Sequence, residues 1–269
     1  MQLSVSNIAC HDVEGGDFYS AMQQAGFTRI DVAPTKFWPA WEYDRTSAGR
    51  FKSLFAEFGL TAAGLQSLFY GTDNLNVFSK SQDHWQDCVN HIDKVADIAS
   101  ILGVTHLVFG SPKNRDPGDF ERDSAAEMAI IRFRQLADVC QAKGVILCIE
   151  PVPEQYGGTF LTNTKDTAHF IRRANHDALK MNLDTGVLRI TGADAYKAVT
   201  QAFDTIGHVH ASEPQLKNLD TPESDHAAVA KALKDNNYAG TVAIEMLTQP
   251  ETSVDELNRA LNFVNATYG

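Results

Sequence analysis

The feature that most constrains this chain is an eightfold alternation of short apolar runs with amphipathic helical stretches along 269 residues. Strand-like runs fall at 3–8, 29–32, 61–68, 105–109, 145–150, 179–183, 206–210 and 241–246. Helical patterns fall between and after them, at 17–25, 47–58, 81–102, 124–142, 164–175, 193–203, 224–233 and 253–268. In the first of these Phe18, Ala21, Met22 and Ala25 recur at helical spacing, and Gly26 ends it. Gly59, Gly103 and Gly144 play the same stop role further on. Short strands separated by helices indicate parallel βαβ units. Eight such units in this length predict an α/β fold, a (β/α)8 TIM barrel in a single domain spanning 1–269. A doubly wound open sheet is the competing arrangement. The first strand-to-helix turn lacks a G-x-G-x-x-G fingerprint, which removes the dinucleotide-binding class of that alternative.

Composition narrows the partners. A formal net charge of −11 repels phosphate backbones and argues against a nucleic-acid partner. No apolar run approaches the about 20 residues needed to span a bilayer. Met1 leads directly into a strand pattern without a hydrophobic signal stretch, so a cytoplasmic location is the expectation. Cys10, Cys88, Cys140 and Cys148 show no C-x-x-C pairing and are expected as free thiols.

In a barrel the reacting groups lie at the carboxyl ends of the strands. The fifth to eighth strand patterns each end on a metal-ligating side chain: Glu150, Asp184, His210 and Glu245. Any one strand-end carboxylate is explained by solvent, but three carboxylates gathered together need a counter-charge. Three carboxylates and one imidazole are an oxygen-rich set. They fit one divalent cation, manganese first, with magnesium or cobalt as alternatives and zinc less suited. A metal so held polarises a sugar carbonyl and stabilises an enediolate as a proton leaves carbon. Glu150 and Glu245 come from strands separated by two others and are placed to flank a substrate as a base and conjugate-acid pair. Hydrolysis by a metal-activated water uses similar parts.

The stretches that carry this site are Leu107-Val-Phe-Gly-Ser-Pro-Lys-Asn-Arg115, Ile149-Glu-Pro-Val-Pro-Glu-Gln-Tyr156 with Phe160-Leu-Thr-Asn-Thr164, Asn182-Leu-Asp-Thr-Gly186, His208-Val-His-Ala-Ser-Glu-Pro214 and Ala243-Ile-Glu-Met246. In them the chain resembles the xylose isomerase-like barrel superfamily, in the branch of sugar phosphate isomerases/epimerases and ketose 3-epimerases. The resemblance implies that Glu150 and Glu245 both bind metal and exchange the substrate proton, with Asp184 and His210 completing the ligand set. It implies a metal-dependent isomerase or epimerase of a ketose or related sugar, phosphorylated or not. An inosose-type dehydratase and a non-catalytic sugar-binding barrel are the alternatives. The chain departs from the epimerase pattern where a substrate-reading histidine is expected and Val187 stands. Tyr156-Gly157-Gly158 replaces a substrate-binding glutamate, with Glu154 displaced, and the arginine expected beyond His210 has Lys217 as its nearest substitute. The related apurinic endonucleases need a multi-zinc cluster that Val187 and Gln66 do not support.

Further substrate contacts are expected from Arg115, Glu213, Trp38, His208 and Lys217. Arg115 follows the fourth strand, where its guanidinium either binds an anionic group or belongs to a solvated loop balanced by Asp116 and Asp119. Trp38, with Phe37 and Trp41, walls the pocket or anchors a subunit contact. His208 lies one layer below His210 and either orients the metal shell or belongs to an internal polar network. The partner expected is a small carbohydrate, with a homodimer or homotetramer as the expected assembly.

Overall fold

A computed structural model describes residues 1–269. Eight strands, β1 (Gln2–Ser6), β2 (Arg29–Val32), β3 (Thr61–Leu65), β4 (His106–Phe109), β5 (Ile146–Ile149), β6 (Leu179–Asp184), β7 (Ile206–Ser212) and β8 (Thr241–Glu245), pair in parallel and in sequence order. The pairing of β1 with β8 closes the barrel. Nine helices surround it: α1 (Asp17–Gln24), α2 (Arg45–Glu57), α3 (Gln82–Leu102), α4 (Arg122–Ala142), α5 (Thr164–Ala174), α6 (Thr185–Ile190), α7 (Ala195–Ala202), α8 (His226–Asp235) and α9 (Ser253–Tyr268). The expected (β/α)8 barrel is the fold, and α6 is an addition to the eight helical units read from the sequence.

Local chemistry sets the helix ends. The side chain of Ser81 accepts from the His84 N–H at the start of α3, and Gly103 closes that helix in the left-handed region at φ 79°. Asp44 and Ser47 form a reciprocal capping box on α2. Asn163 caps α5 by accepting from the Asp166 N–H, and Asp225 caps α8 by accepting from the Ala228 N–H. The extra helix α6 starts because Asp184, the last residue of β6, accepts from the Val187 N–H at 2.7 Å and turns the chain at once.

The apolar core lies mainly between barrel and helices. Leu147, Ile149, Leu183, Val209, Ala211, Val242 and Ile244 are fully buried members of that cluster. Residues of opposite phase on the same strands face the barrel axis, and there the interior is polar. Ser4 donates to Asp31 Oδ1 at 2.6 Å, and His208 Nε2 lies 2.7 Å from Asp31 Oδ2. His106 stacks on His208 with ring centroids 5.5 Å apart. Burial, then the neighbouring His208, pulls the His106 pKa down to about 4, so this ring is neutral near pH 7. Strand register shifts occur beside Asp31 on β2 and beside Asn182 on β6, both axis-facing polar residues. Gly64 makes room for the network, since a Cβ there would stand 2.5 Å from Asp31 Oδ2. Gly64→Ala is therefore expected to destabilise the fold by about 1–3 kcal/mol through overpacking, checked by chemical denaturation. No helix is long and apolar enough to cross a membrane.

Candidate metal centre

The carboxyl ends of β5 to β8 bring Glu150, Asp184, His210 and Glu245 together, with one ligand atom of each within 4.8 Å of the others. Register explains the common height: Asp184 pairs with His210 across β6 and β7, and Ser212, two residues beyond His210, pairs with Glu245. Asp184 and His210 are buried, while the Glu150 and Glu245 side chains keep 16% and 13% of their surface exposed. The two residues at the mouth are thus the two glutamates.

Each carboxylate is held by a neutral donor. Asn182 Nδ2 donates to Glu150 Oε2 at 2.5 Å, and Gln66 Nε2 donates to Glu245 Oε1 at 2.7 Å. Ser212 Oγ donates to Asp184 Oδ2 at 2.6 Å, opposite the helix-capping bond to Asp184 Oδ1. Such partners fix orientation without neutralising charge. Asn182 and Ser212 are each two residues from a ligand on the same strand, so strand periodicity alone places them on the same face. Gln66 lies just beyond β3, and Asp31, on β2 and far in sequence from every residue of the cluster, has no local signal.

His210 Nδ1 lies 3.2 Å from one oxygen of Glu150 and 3.2 Å from one of Glu245, yet neither ring nitrogen makes a hydrogen bond of acceptable direction. A buried imidazole nitrogen beside two carboxylates and without a hydrogen bond is an orphaned polar atom whose lone pair suits a metal ion. Electrostatics agree. Burial first, then Glu150 and Glu245, raise the Asp184 pKa to about 7. For His210, burial opposes the charged ring, but Glu245 and Glu150 outweigh it and raise the pKa well above 6.5. Glu245 is held below its ordinary 4.5 against burial by His210 and Gln66. Protons thus supply the positive charge this cluster needs, the role a divalent cation fills. The oxygen-dominated set therefore fits such a cation, with Glu150, Asp184, His210 and Glu245 as its holders.

Two cavities meet at this cluster. The larger, of about 380 Å3, is walled by Val152, Tyr156, Val187, Ile190 and Leu216 with several prolines, and reaches Glu150, Asp184 and Glu245. The smaller, of about 240 Å3, is lined by Gln66, Ser67, Tyr70 and Ser111 and reaches Glu150, His210 and Glu245. Gly110 belongs to both, and a Cβ on it would stand 2.8 Å from Glu150 Oε1. Gly110→Ala is expected to displace that carboxylate and weaken manganese binding by about 10–100-fold, measured by isothermal titration calorimetry.

The other expected contacts lie elsewhere. Arg115 is buried behind the site. Its Nη2 donates to the Glu150 carbonyl at 2.5 Å, and it lines neither cavity, so it supports the backbone and does not meet an anion at the rim. Burial lowers its pKa to about 10, which leaves it charged at neutral pH. Trp38 is also buried. Its indole donates to Ser47 Oγ at 2.9 Å and its ring packs against Phe37 and Phe51, so it packs on the first turn of α2 and lines neither cavity. His208 belongs to the internal network with Asp31. Lys217 is exposed, pairs with Glu223 at 2.7 Å and lines neither cavity. Glu213 lines the larger cavity, but its carboxylate turns away. It is bound by His226 Nε2 at 2.7 Å and by the backbone N–H groups of Glu223 and Ser224.

Against burial, the His226 hydrogen bond and these N–H groups lower the Glu213 pKa below 4.5. A depressed carboxylate pKa gives stability that is complete above 4.5 and is lost as pH falls through the folded value. Glu213→Gln is expected to cost about 2 kcal/mol at pH 7. The difference from wild type should shrink below pH 4.5 in thermal melts across pH.

A closed eight-stranded barrel with three carboxylates and a histidine on its last four strand ends defines a barrel protein organised around a divalent-cation site. The chain belongs to the xylose isomerase-like TIM-barrel family, whose model matches residues 19–265. It is similar to an L-ribulose 3-epimerase of Methylomonas sp. (strain DH-1), with 25% identity over 224 residues that cover 82% of this chain and 74% of that protein. It is also similar to a putative hydroxypyruvate isomerase of Xenopus laevis, with 24% identity over 242 residues covering 86% of this chain and 84% of that one. The fold superposes on that of a D-psicose 3-epimerase from Clostridium cellulolyticum H10 with a TM-score of 0.84 at 18% identity, covering 100% of this chain and 99% of the other.

Proposed function

We propose that this protein is a metal-dependent isomerase or epimerase of a ketose or related sugar. The observation that carries the reading is that Glu150 and Glu245 both border both cavities, so a molecule crossing the cluster lies against both carboxylates. When bound, a divalent cation would draw electron density from a sugar carbonyl and acidify the adjacent C–H. Asp184 and His210, the buried pair, would hold such an ion together with Glu150 and Glu245. Of the two glutamates, which lie nearer the mouth, one takes the proton from carbon while the other returns one.

Asn182 and Gln66 keep one oxygen of each glutamate engaged, which aims the free oxygen of each at the shared space. Manganese is the cation proposed, on the strength of the oxygen-rich ligand set. The relatives described above, an L-ribulose 3-epimerase and a putative hydroxypyruvate isomerase, support proton transfer beside a carbonyl as the reaction class. Deuterium entering a recovered ketose from solvent tests the reading. Net loss of water from the sugar would instead assign the dehydratase reaction.

A further inference from the structure

The larger chamber is an unusual wall for a sugar. Val152, Val187, Ile190 and Leu216 present carbon, and Tyr156 is tied by its hydroxyl, which accepts from the Gln215 N–H at 2.6 Å. Leu216 is held there at a conformational cost. Gln215 and Leu216 both adopt positive φ, 63° and 53°, where non-glycine side chains are strained. Three contacts clamp this turn: the Tyr156 hydroxyl, the Leu247 N–H donating to the Leu216 carbonyl at 2.9 Å, and the anchored Glu213 carboxylate. A strained turn clamped so that a leucine faces a cavity marks a built apolar surface.

Charge points the same way. No lysine or arginine lines either cavity, and the charged side chains that do are Glu150, Asp184, Glu213 and Glu245, beside His210. Of the cations near the cavities, Arg115 is committed to the Glu150 carbonyl, Lys217 to Glu223 and Lys36 to the Cys10 carbonyl, while Lys113 and Arg189 stand beside the larger cavity's lining without forming part of it. A phosphate or carboxylate seated here would meet no cationic side chain in the lining, only the metal. The smaller cavity, by contrast, is lined by Ser67, by Ser111, whose hydroxyl donates to Asn114 and keeps its lone pairs, and by Gln66, whose amide donates to Glu245, polar groups that suit sugar hydroxyls.

We propose that the substrate is an uncharged keto-sugar bearing an apolar substituent, with its hydroxylated end against Gln66, Ser67 and Ser111 and the substituent in the chamber of Val152, Val187, Ile190 and Leu216. The inference rests on the keto-sugar reading above for the group at the metal. It adds what lies on the β5–β7 side of that group, and it identifies Ile190 and Leu216 as residues that set specificity.

Calorimetric titration of the manganese-loaded protein with two homologous series tests it, 1-O- and 6-O-alkyl ethers of D-fructose with methyl, butyl and hexyl groups. D-fructose and its 1- and 6-phosphates serve as references. In one of the two series affinity should rise about fourfold per added methylene until the chamber is filled, the gain that burying a CH2 group gives. Both phosphates should bind more weakly than fructose. Ile190→Ser and Leu216→Ser should each roughly halve that gain per methylene, a slope read within each variant and so independent of how much of it folds.

Affinity independent of alkyl length in both series, phosphates binding more tightly than fructose, or no binding by any member overturns the proposal. Solvent deuterium exchange, run in parallel, separates the two readings. Deuterium entering fructose with a flat alkyl series sinks the apolar substituent and leaves the chemistry. A rising series without exchange into any member keeps the chamber and sinks the chemistry.

Discussion

Glu150→Gln and Glu245→Gln, made singly and assayed at saturating manganese, are each expected to slow ketose proton exchange by about 100- to 10,000-fold, the range of a lost general acid or base. Glutamine keeps the size and one carbonyl oxygen of the ligand, and Asn182 and Gln66 can still hold the side chain in place. The proton-accepting carboxylate is gone. Asp184→Asn, by contrast, alters a buried ligand that reaches less of the mouth, and its defect should appear first in metal affinity. Measuring exchange rate and manganese binding for all three separates the roles. Wild-type exchange in both glutamine variants, with metal bound, would contradict the assignment of the two glutamates.

Removing the metal should be nearly as consequential for stability. A ligand that binds only the folded state at 100 to 1,000 times its Kd contributes about 3–4 kcal/mol. For a domain of this size that corresponds to roughly 6–16 °C in the thermal midpoint. Manganese at such a concentration should raise the midpoint of the chelator-treated protein by that amount, and calorimetry would record it. The same addition to His210→Ala should move the midpoint little, because the ring closes the site from below and its loss leaves three carboxylates without their nitrogen partner. The direction is fixed by charge. Asp184, raised to about 7 by burial and by its two glutamate neighbours, sheds its proton as the cation arrives, so the gain in midpoint should grow from pH 6 to pH 8.

How much of this was legible from the sequence differs residue by residue. The four ligands were, because each closes a run of apolar residues at a strand end, where a barrel places its chemistry. Strand phase also carries Asn182 and Ser212, which share the face of Asp184 and His210 at a spacing of two. Asp31 and Ser4 were not legible. Their role depends on β1, β2 and β7 meeting at the axis, a closure no local pattern encodes.

Arg115 and Trp38 show the opposite failure. Their residue types, an arginine on a rim loop and a tryptophan in an aromatic loop, matched a surface role. Tertiary packing instead turned the guanidinium under the Glu150 carbonyl and the indole onto Ser47. Val187 departs from the epimerase pattern in sequence, and the chamber wall it shares with Ile190 and Leu216 exists only in the folded barrel. Lys217, the nearest substitute for a missing arginine, is paired with Glu223 outside the cavities. Sequence thus located the metal-binding cluster, and only the assembled barrel located its surroundings.

The central claim is that Glu150, Asp184, His210 and Glu245 hold one divalent cation across which the two glutamates move a proton on a keto-sugar. Its most direct test is the isotope content of a ketose recovered from incubation in D2O with the manganese-loaded protein and with the chelated protein. The account predicts deuterium at the carbon beside the carbonyl with the loaded protein, none after chelation, and its return when manganese is restored. Equal deuterium in loaded and chelated samples, or none in either across the fructose, alkyl and phosphate probes, would contradict it.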